Sequence, residues 1–456
     1  MTERNDNLKF SGEYKELKNK ESEVWGVRGK KYGIYLFVIA LAGWALASYN
    51  FNLLTVAFPA VSSALHLTDA QVGETGTVIS LVAIFVPIAV GYWMDSRGRK
   101  IMWMVVLAIS AIFTALTAVV TTFLELVIIR AIASSFGLSE LGVSITIVNE
   151  SLGPKSRGWL YSWVQGGWPL GVFLASGVYL ATIHFGWPVV FAIGAVPLIA
   201  VIIGRFWIKD PMRYENLKKI KDLIKKGVPA GQIEGIEEFK NDLNQAGQIT
   251  FKQIFATRGY VRTQLIKVMI TWFFYASSWM LPNVFIAAYL YEFYGWSASY
   301  VATLLLISGG VGFFFYPLGG YFGEKYGRKN VLVITAIITP VLALLFILNV
   351  HDMLLASIIY FFIYQVTNGT WSGVGYAYWA ESFPTRVRGT VMGFLTGWFN
   401  FSNFAGSLIY TGLVILFVHS PELIWIVLAV IISMGQLSAL ALRNIKPGQI
   451  LEDISI

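Results

Sequence analysis

Gly91-Tyr-Trp-Met-Asp95-Ser-Arg97-Gly98-Arg99-Lys100 is a short charged stretch set between long apolar runs, and the chain carries it twice. The second copy is Gly320-Tyr-Phe-Gly-Glu324-Lys325-Tyr-Gly327-Arg328-Lys329, 229 residues further on (320 − 91). Glycine, acid, glycine and two bases recur at identical spacing. A second pair repeats the pattern: Glu150 precedes Arg157-Gly158, and Glu381 precedes Arg388-Gly389, at an offset of 231 (381 − 150). Two motifs at nearly one offset mark an internal duplication, so the chain reads as two copies of one unit.

Outward from these motifs the chain is apolar. It has 456 residues, 56% hydrophobic and 13% charged, about half the roughly 25% charge of a soluble chain. Apolar runs fall near 33–58, 72–93, 101–120, 122–148, 158–182 and 187–207. After a polar stretch they resume near 266–290, 297–322, 330–349, 353–379, 389–418 and 422–442. Each is long enough to cross about 30 Å of hydrocarbon as a helix, and lipid offers an open-edged sheet no hydrogen-bond partners. The expected fold is an all-α membrane protein of twelve transmembrane helices in two six-helix halves. Its parts are a tail (1–31), an N-terminal half (32–207), a central loop (208–262), a C-terminal half (263–443) and a second tail (444–456).

The bases orient it. Of 34 lysines and arginines, all but Arg130 fall in the tails, in or beside the central loop, or after spans two, four, eight and ten. The intervening loops carry acids and histidines, among them His66, His184, His351 and His419. By the positive-inside rule both termini and the central loop are expected to be cytoplasmic, in a multi-pass protein of the cell membrane. The net charge of +8 is thereby topological, and nucleic acid is not an expected partner. No cleaved signal is expected, because the residues before Tyr32 are polar and the first apolar run is long. In the central loop Leu217, Ile220, Leu223 and Ile224 repeat at helical spacing among lysines, the pattern of a short amphipathic helix on the membrane surface. The chain has no cysteine, which excludes disulfides, thiolate metal sites and thiol catalysis.

With both motif pairs in view, the whole chain resembles the major facilitator superfamily. Gly91 to Lys100 is similar to that family's loop signature, with Ser96 where a base is usual. Gly186-Trp187-Pro-Val-Val-Phe191, Asp210-Pro-Met-Arg213-Tyr214 and Gly137 to Gly142 resemble the branch of sugar porters, metabolite:proton symporters and organic-ion transporters. The resemblance implies alternating access, with a solute held near mid-membrane between the halves by spans one, four, seven and ten. The duplicated charges are expected to form a cytoplasmic gate: Asp95, Arg99, Glu150 and Arg157 with Glu324, Arg328, Glu381 and Arg388. Contacts made in one state and broken in the other bias a bistable element.

Polar residues inside the membrane are expensive and mark function. Arg130 and Glu140 lie ten residues apart on span four, and are the candidates for proton coupling. Amides and aromatics on the presumed lining helices are the candidates for solute binding: Asn50, Asn52, Gln165, Trp279, Asn283, Gln365, Asn368, Trp371, Asn400 and Asn403. Such a cavity suits a small solute with an apolar body and several hydrogen-bonding groups. In span one, Ala47 and Asn50 stand where the symporter pattern places aspartates, which leaves Glu140 as the membrane-embedded carboxylate.

The expected function is secondary active transport of a small organic metabolite, an organic acid or a sugar-like solute, by proton-coupled symport, with Arg130 a slight argument for an anion. A monomer is expected. A uniporter or an organic-ion or drug exporter would use the same fold, and a non-transporting nutrient receptor is the alternative of another class, disfavoured by short tails. The chain shows no nucleophile elbow, phosphate loop or metal-ligand cluster, so no enzyme activity, cofactor or metal is expected.

Overall fold

The computed structural model describes residues 28–153, 156–229, 233 and 260–445. Most of both tails and of the central loop lie outside these residues, as does Lys155.

The twelve spans follow in order. Span 1 is Lys30–Ala64, span 2 Asp69–Arg97, span 3 Arg99–Leu116 and span 4 Phe123–Ser151. Span 5 joins Arg157–Gln165 to Gly167–Thr182, and span 6 joins Trp187–Gly194 to Val196–Arg205. Span 7 runs from Tyr260 to Tyr294, span 8 is Ala298–Tyr326, span 9 Arg328–Leu348, span 10 runs from Met353 to Glu381, span 11 is Thr385–Leu416 and span 12 begins at Pro421. Among the described residues ten helices are long and apolar enough to cross a membrane, and spans 6 and 7 complete the twelve. The helices outlast the apolar runs at the basic face, because the motif residues are themselves helical: Asp95 and Arg97 end span 2, and Arg99 begins span 3.

That junction is one residue long. Gly98, at φ 114°, both ends span 2 and starts span 3, and Gly327, at φ 90°, does the same between spans 8 and 9. A β-carbon is strained in that region, which explains a glycine at the same place in both copies. On the opposite face the helices are started by side chains. Thr68 and Gln71 form a reciprocal capping box at span 2, Thr122 and Glu125 another at span 4, and Ser297 and Asp352 cap spans 8 and 10. Each cap satisfies amides that have no intrahelical acceptor.

Spans 7, 10 and 12 widen into π turns at Met280–Phe285, Gln365–Thr370 and Ile426–Ile432. All three turns, at Pro282, Thr367 and Ala429, border one small internal cavity also lined by Tyr275, Trp279 and Gln436. Wide turns inside helices concentrate at functional sites. Beyond span 6, Met212–Lys225 is a helix, as the spacing predicts. It buries Leu217 and Ile220 against Ile233, while Ile224 is exposed.

Candidate functional site

The duplicated charges meet at the basic face. The Asp95 carboxylate accepts from Gly389 N at 3.0 Å and from Thr390 N and Oγ1 at 2.7 and 2.8 Å, near the start of span 11. Its counterpart Glu324 accepts from Gly158 N at 3.0 Å and Trp159 N at 3.3 Å, at the start of span 5. Each acid thus grips a helix of the other half. Arg99 pairs with Glu150 at 3.2 Å, and Glu150 pairs across the halves with Arg388 at 2.6 Å. In the second copy Arg328 pairs with Glu381 at 2.5 Å, and Glu381 with Arg157 at 2.8 Å. Both networks are buried, so the basic face is closed. All eight residues expected at the gate take part in these contacts.

The sequence motif around Asp210 adds a brace. Asp210 Oδ1 accepts from Lys100 N at 2.8 Å, the Tyr214 ring lies 4.1 Å from the Arg99 guanidinium, and Arg28 donates to Asp210 O at 3.0 Å and Glu215 at 2.9 Å. The linker helix is thereby tied to Arg99, which also donates to Thr385 O of span 11 at 3.0 Å, and it does not lie free on a membrane surface.

Inside span 4 the two proton-coupling candidates keep separate partners. Arg130 and Glu140 are not partners. Arg130 donates to Asn50 O at 2.8 Å and Asn50 Oδ1 at 3.3 Å, and lies over the Phe191 ring at 5.4 Å. Glu140 is instead ion-paired with Arg205 of span 6 and accepts from Trp103 Nε1 at 2.5 Å. Arg205 also donates to the Trp103 carbonyl and stacks on its ring. Pair, ring and Arg130 are all buried. The charge map groups Arg205 with the linker bases; the signal against that is its place inside the apolar run 187–207. Room for the pair comes from Gly43 of span 1, where a β-carbon would sit 2.1 Å from Arg205 Nη2.

The solute candidates divide. Trp279 Nε1 donates to Asn368 Oδ1 at 2.5 Å, Asn368 donates to Asn283 Oδ1, and Asn283 closes the set on Trp279 O at 3.2 Å. Trp371 stacks on Tyr275 with centroids 5.0 Å apart, and Tyr275 donates to Thr367 O at 3.1 Å. In the N-terminal half Asn52 donates to Ser48 O at 2.8 Å, and Trp168 packs on Trp44 and Phe51 at 5.3 and 6.1 Å. The other amides bond elsewhere within the protein. Asn50 holds Arg130; Gln165 donates to Tyr161 OH at 2.7 Å, Gln365 to Ser308 O at 2.9 Å and Asn400 to Ala83 O at 2.8 Å. Asn403 Oδ1 is buried without a partner among the described residues, as are Nε1 of Trp44 and Trp371. Among the described residues no group of three metal-ligating side chains occurs.

Twelve helices, duplicated charge gate and membrane-embedded polar residues define a helical transporter. The family model described as Major Facilitator Superfamily matches residues 40–407 and again 268–450, and the chain belongs to that family. It is similar to the probable 4-methylmuconolactone transporter of Cupriavidus pinatubonensis, 23% identical over 81% of each chain. It is likewise similar to the niacin transporter of Acinetobacter baylyi, 24% identical over 81% of this chain and 83% of that one. Among solved structures it shares the fold of the proton:xylose symporter XylE. The TM-score is 0.75 at 17% identity, over 92% of this chain and 98% of that one. The chain is a membrane transporter of small solutes and not an enzyme.

Proposed function

We propose that the chain is a secondary active transporter that carries a small organic metabolite, in the range from organic acids to sugar-like solutes, by proton-coupled symport. It acts as a monomer in the cell membrane, with the basic face cytoplasmic. The domain division follows the duplication, with the halves rocking about the gate described above. The observation that carries proton coupling is the Glu140–Arg205 pair: among the described residues it is the one membrane-embedded carboxylate away from the gate and the outer loops. Taking two charges out of water costs several kcal/mol per ion, roughly offset only while both are paired. Protonating Glu140 removes the charge that pairs with Arg205, which keeps the Trp103 carbonyl and ring, and Gly43 of span 1 lies against both side chains of the pair. That contact is the route by which proton occupancy would bear on span 1. Relatives that carry small metabolites, and a structural neighbour that is a proton symporter, support the reading.

The test is transport by Glu140→Gln in proteoliposomes. Counterflow, scanned over labelled sugars, carboxylates and amides, is expected to persist, while accumulation driven by an imposed pH gradient is lost. Normal accumulation by the variant would overturn the coupling role. An uncoupled carrier is the second reading, favoured by one observation: Asn50, the partner of Arg130, cannot take up a proton.

A further inference from the structure

We propose that Tyr161 of span 5 is the port through which Glu140 exchanges its proton with the basic side, and that the charge gate opens and shuts this port. The inference rests on the proton-coupling reading and adds a route to it.

The carboxylate is only half engaged. Glu140 Oε1 takes both partners, Arg205 of span 6 and Trp103 Nε1 of span 3, whereas Oε2 is buried with no partner among the described residues. A buried acceptor left open is costly, the more so on a charged group, and a proton on Oε2 leaves the contacts of Oε1 in place. Neither partner can hand a proton on: a guanidinium keeps its protons in proteins, and an indole N–H is a donor only. Gly43 of span 1, which lies against the pair, has no side chain to do so.

On the basic side of Glu140 stand two hydroxyls in contact. Ser144 lies four residues nearer the basic end of span 4 on the same face, a spacing that puts β-carbons about 5–6 Å apart. Its Oγ is 3.1 Å from the Tyr161 hydroxyl, which also accepts from Gln165 Nε2 at 2.7 Å. Glu140, Ser144 and Tyr161 are fully buried, and the Glu140 charge acts on the Tyr161 hydroxyl. A hydroxyl donates and accepts at once. On release the Oε2–H bond breaks, each hydroxyl takes one proton and passes on its own, and the last goes to water. Both hydroxyls end as they began.

The same stretch of span 5 is held by the gate. Glu324 of the other half grips Gly158 N and Trp159 N, just before Tyr161. A β-carbon on Gly320 of span 8 would meet Ser162, just after it. Tyr161 and Tyr376 of span 10 share one buried cluster formed across the halves. With the basic face closed, Tyr161 is therefore sealed from water on that side. Opening parts span 5 from spans 8 and 10 and wets the hydroxyl, so the proton leaves as the gate lets go.

Infrared difference spectroscopy on the purified full chain reads this without a solute. The gate is loosened by Asp95→Asn with Glu324→Gln, and the Glu140 carboxyl band is identified as the one that Glu140→Gln removes. Its growth is timed after an acid jump. Adding Tyr161→Phe, which keeps the ring, is expected to slow that growth at least about tenfold, a lower bound on the roughly 10²–10⁴-fold that a positioned proton-transfer group supplies. The final size of the band should not change, because Tyr161 is a path and not the partner of the carboxylate. Ser144→Ala, which removes the other hydroxyl, should slow the growth likewise. Rates unmoved by both hydroxyl variants overturn the port, as does a change in final size alone, the mark of a structural role. If the Glu140 band never appears on acidification, the proton-coupling reading itself falls.

Discussion

Glu140 and Arg205 form an ion pair that neither could leave alone. Both are fully buried, and Trp103 serves both, its indole N–H donating to the carboxylate and its carbonyl accepting from the guanidinium. Breaking a buried pair from one side strands a charge, at about 3–5 kcal/mol, while replacing both partners with apolar groups is often neutral. Glu140→Gln and Arg205→Met are each expected to destabilise by about that amount. The double variant should recover most of the loss. Thermal unfolding in detergent measures all three. Additive losses would mean that the two side chains are stabilised separately and that the pair is not the coupled unit proposed. Residue scale is also where the sequence says least. Arg130 and Glu140 stand on one helix, ten residues apart, and the spacing does not say what each one touches, because partners are chosen by the neighbouring helices. Gly43 clears space for Arg205, and Asn50 reaches Arg130. Neither choice leaves a trace in the spacing of one span.

Between elements, one close approach joins spans 2 and 11, one from each half. A β-carbon added to Gly393 would lie 2.2 Å from Pro87 O, and one added to Gly397 would lie 2.3 Å from Ile84 O. At Gly91 it would meet Gly389 O at 2.5 Å. The glycines thus let two backbones touch, as in small-residue seams of membrane helices. Gly393→Val should wedge these spans apart and disfavour the closed basic face. A cysteine at Thr396, buried in the closed form, should then react severalfold faster with a thiol reagent added from the basic side. An unchanged rate would mean that the seam carries packing and not the switch. Much at this scale is legible in the sequence. The duplicated glycines foretell tight turns, and the linker helix follows from Leu217 and Ile220. The π turns of spans 7, 10 and 12 are not legible, because a single extra residue per turn leaves an apolar run looking the same.

In the whole molecule the duplication becomes a pseudo-symmetric lock. Asp95 holds span 11 and Glu324 holds span 5, while Glu150 and Glu381 each take an arginine from both halves. The candidate members of this lock can be read from the amino acids alone, since the motifs recur at one offset and bases gather on one face, but their pairing cannot. The state of the lock cannot: the same charges are present in an open form, and only geometry shows them engaged. The candidate solute residues are legible as a composition of amides and aromatics on certain helices. Their grouping is not, because Gln365 and Asn400 point to spans 8 and 2 rather than joining the Trp279–Asn368–Asn283 set.

The central claim is that paired charges close the basic face and that transport opens it. The most direct measurement is the spin-label distance between cysteines placed at Ser96 and Lys325, both exposed at that face, in this otherwise cysteine-free chain. Without other changes a short distance should dominate. Asp95→Asn with Glu324→Gln removes the carboxylate charge at both grips, and should shift the distribution to a longer distance and raise the share of open molecules. A distribution unmoved by both substitutions, with transport rates also unchanged, would contradict the account and reduce these acids to markers of topology.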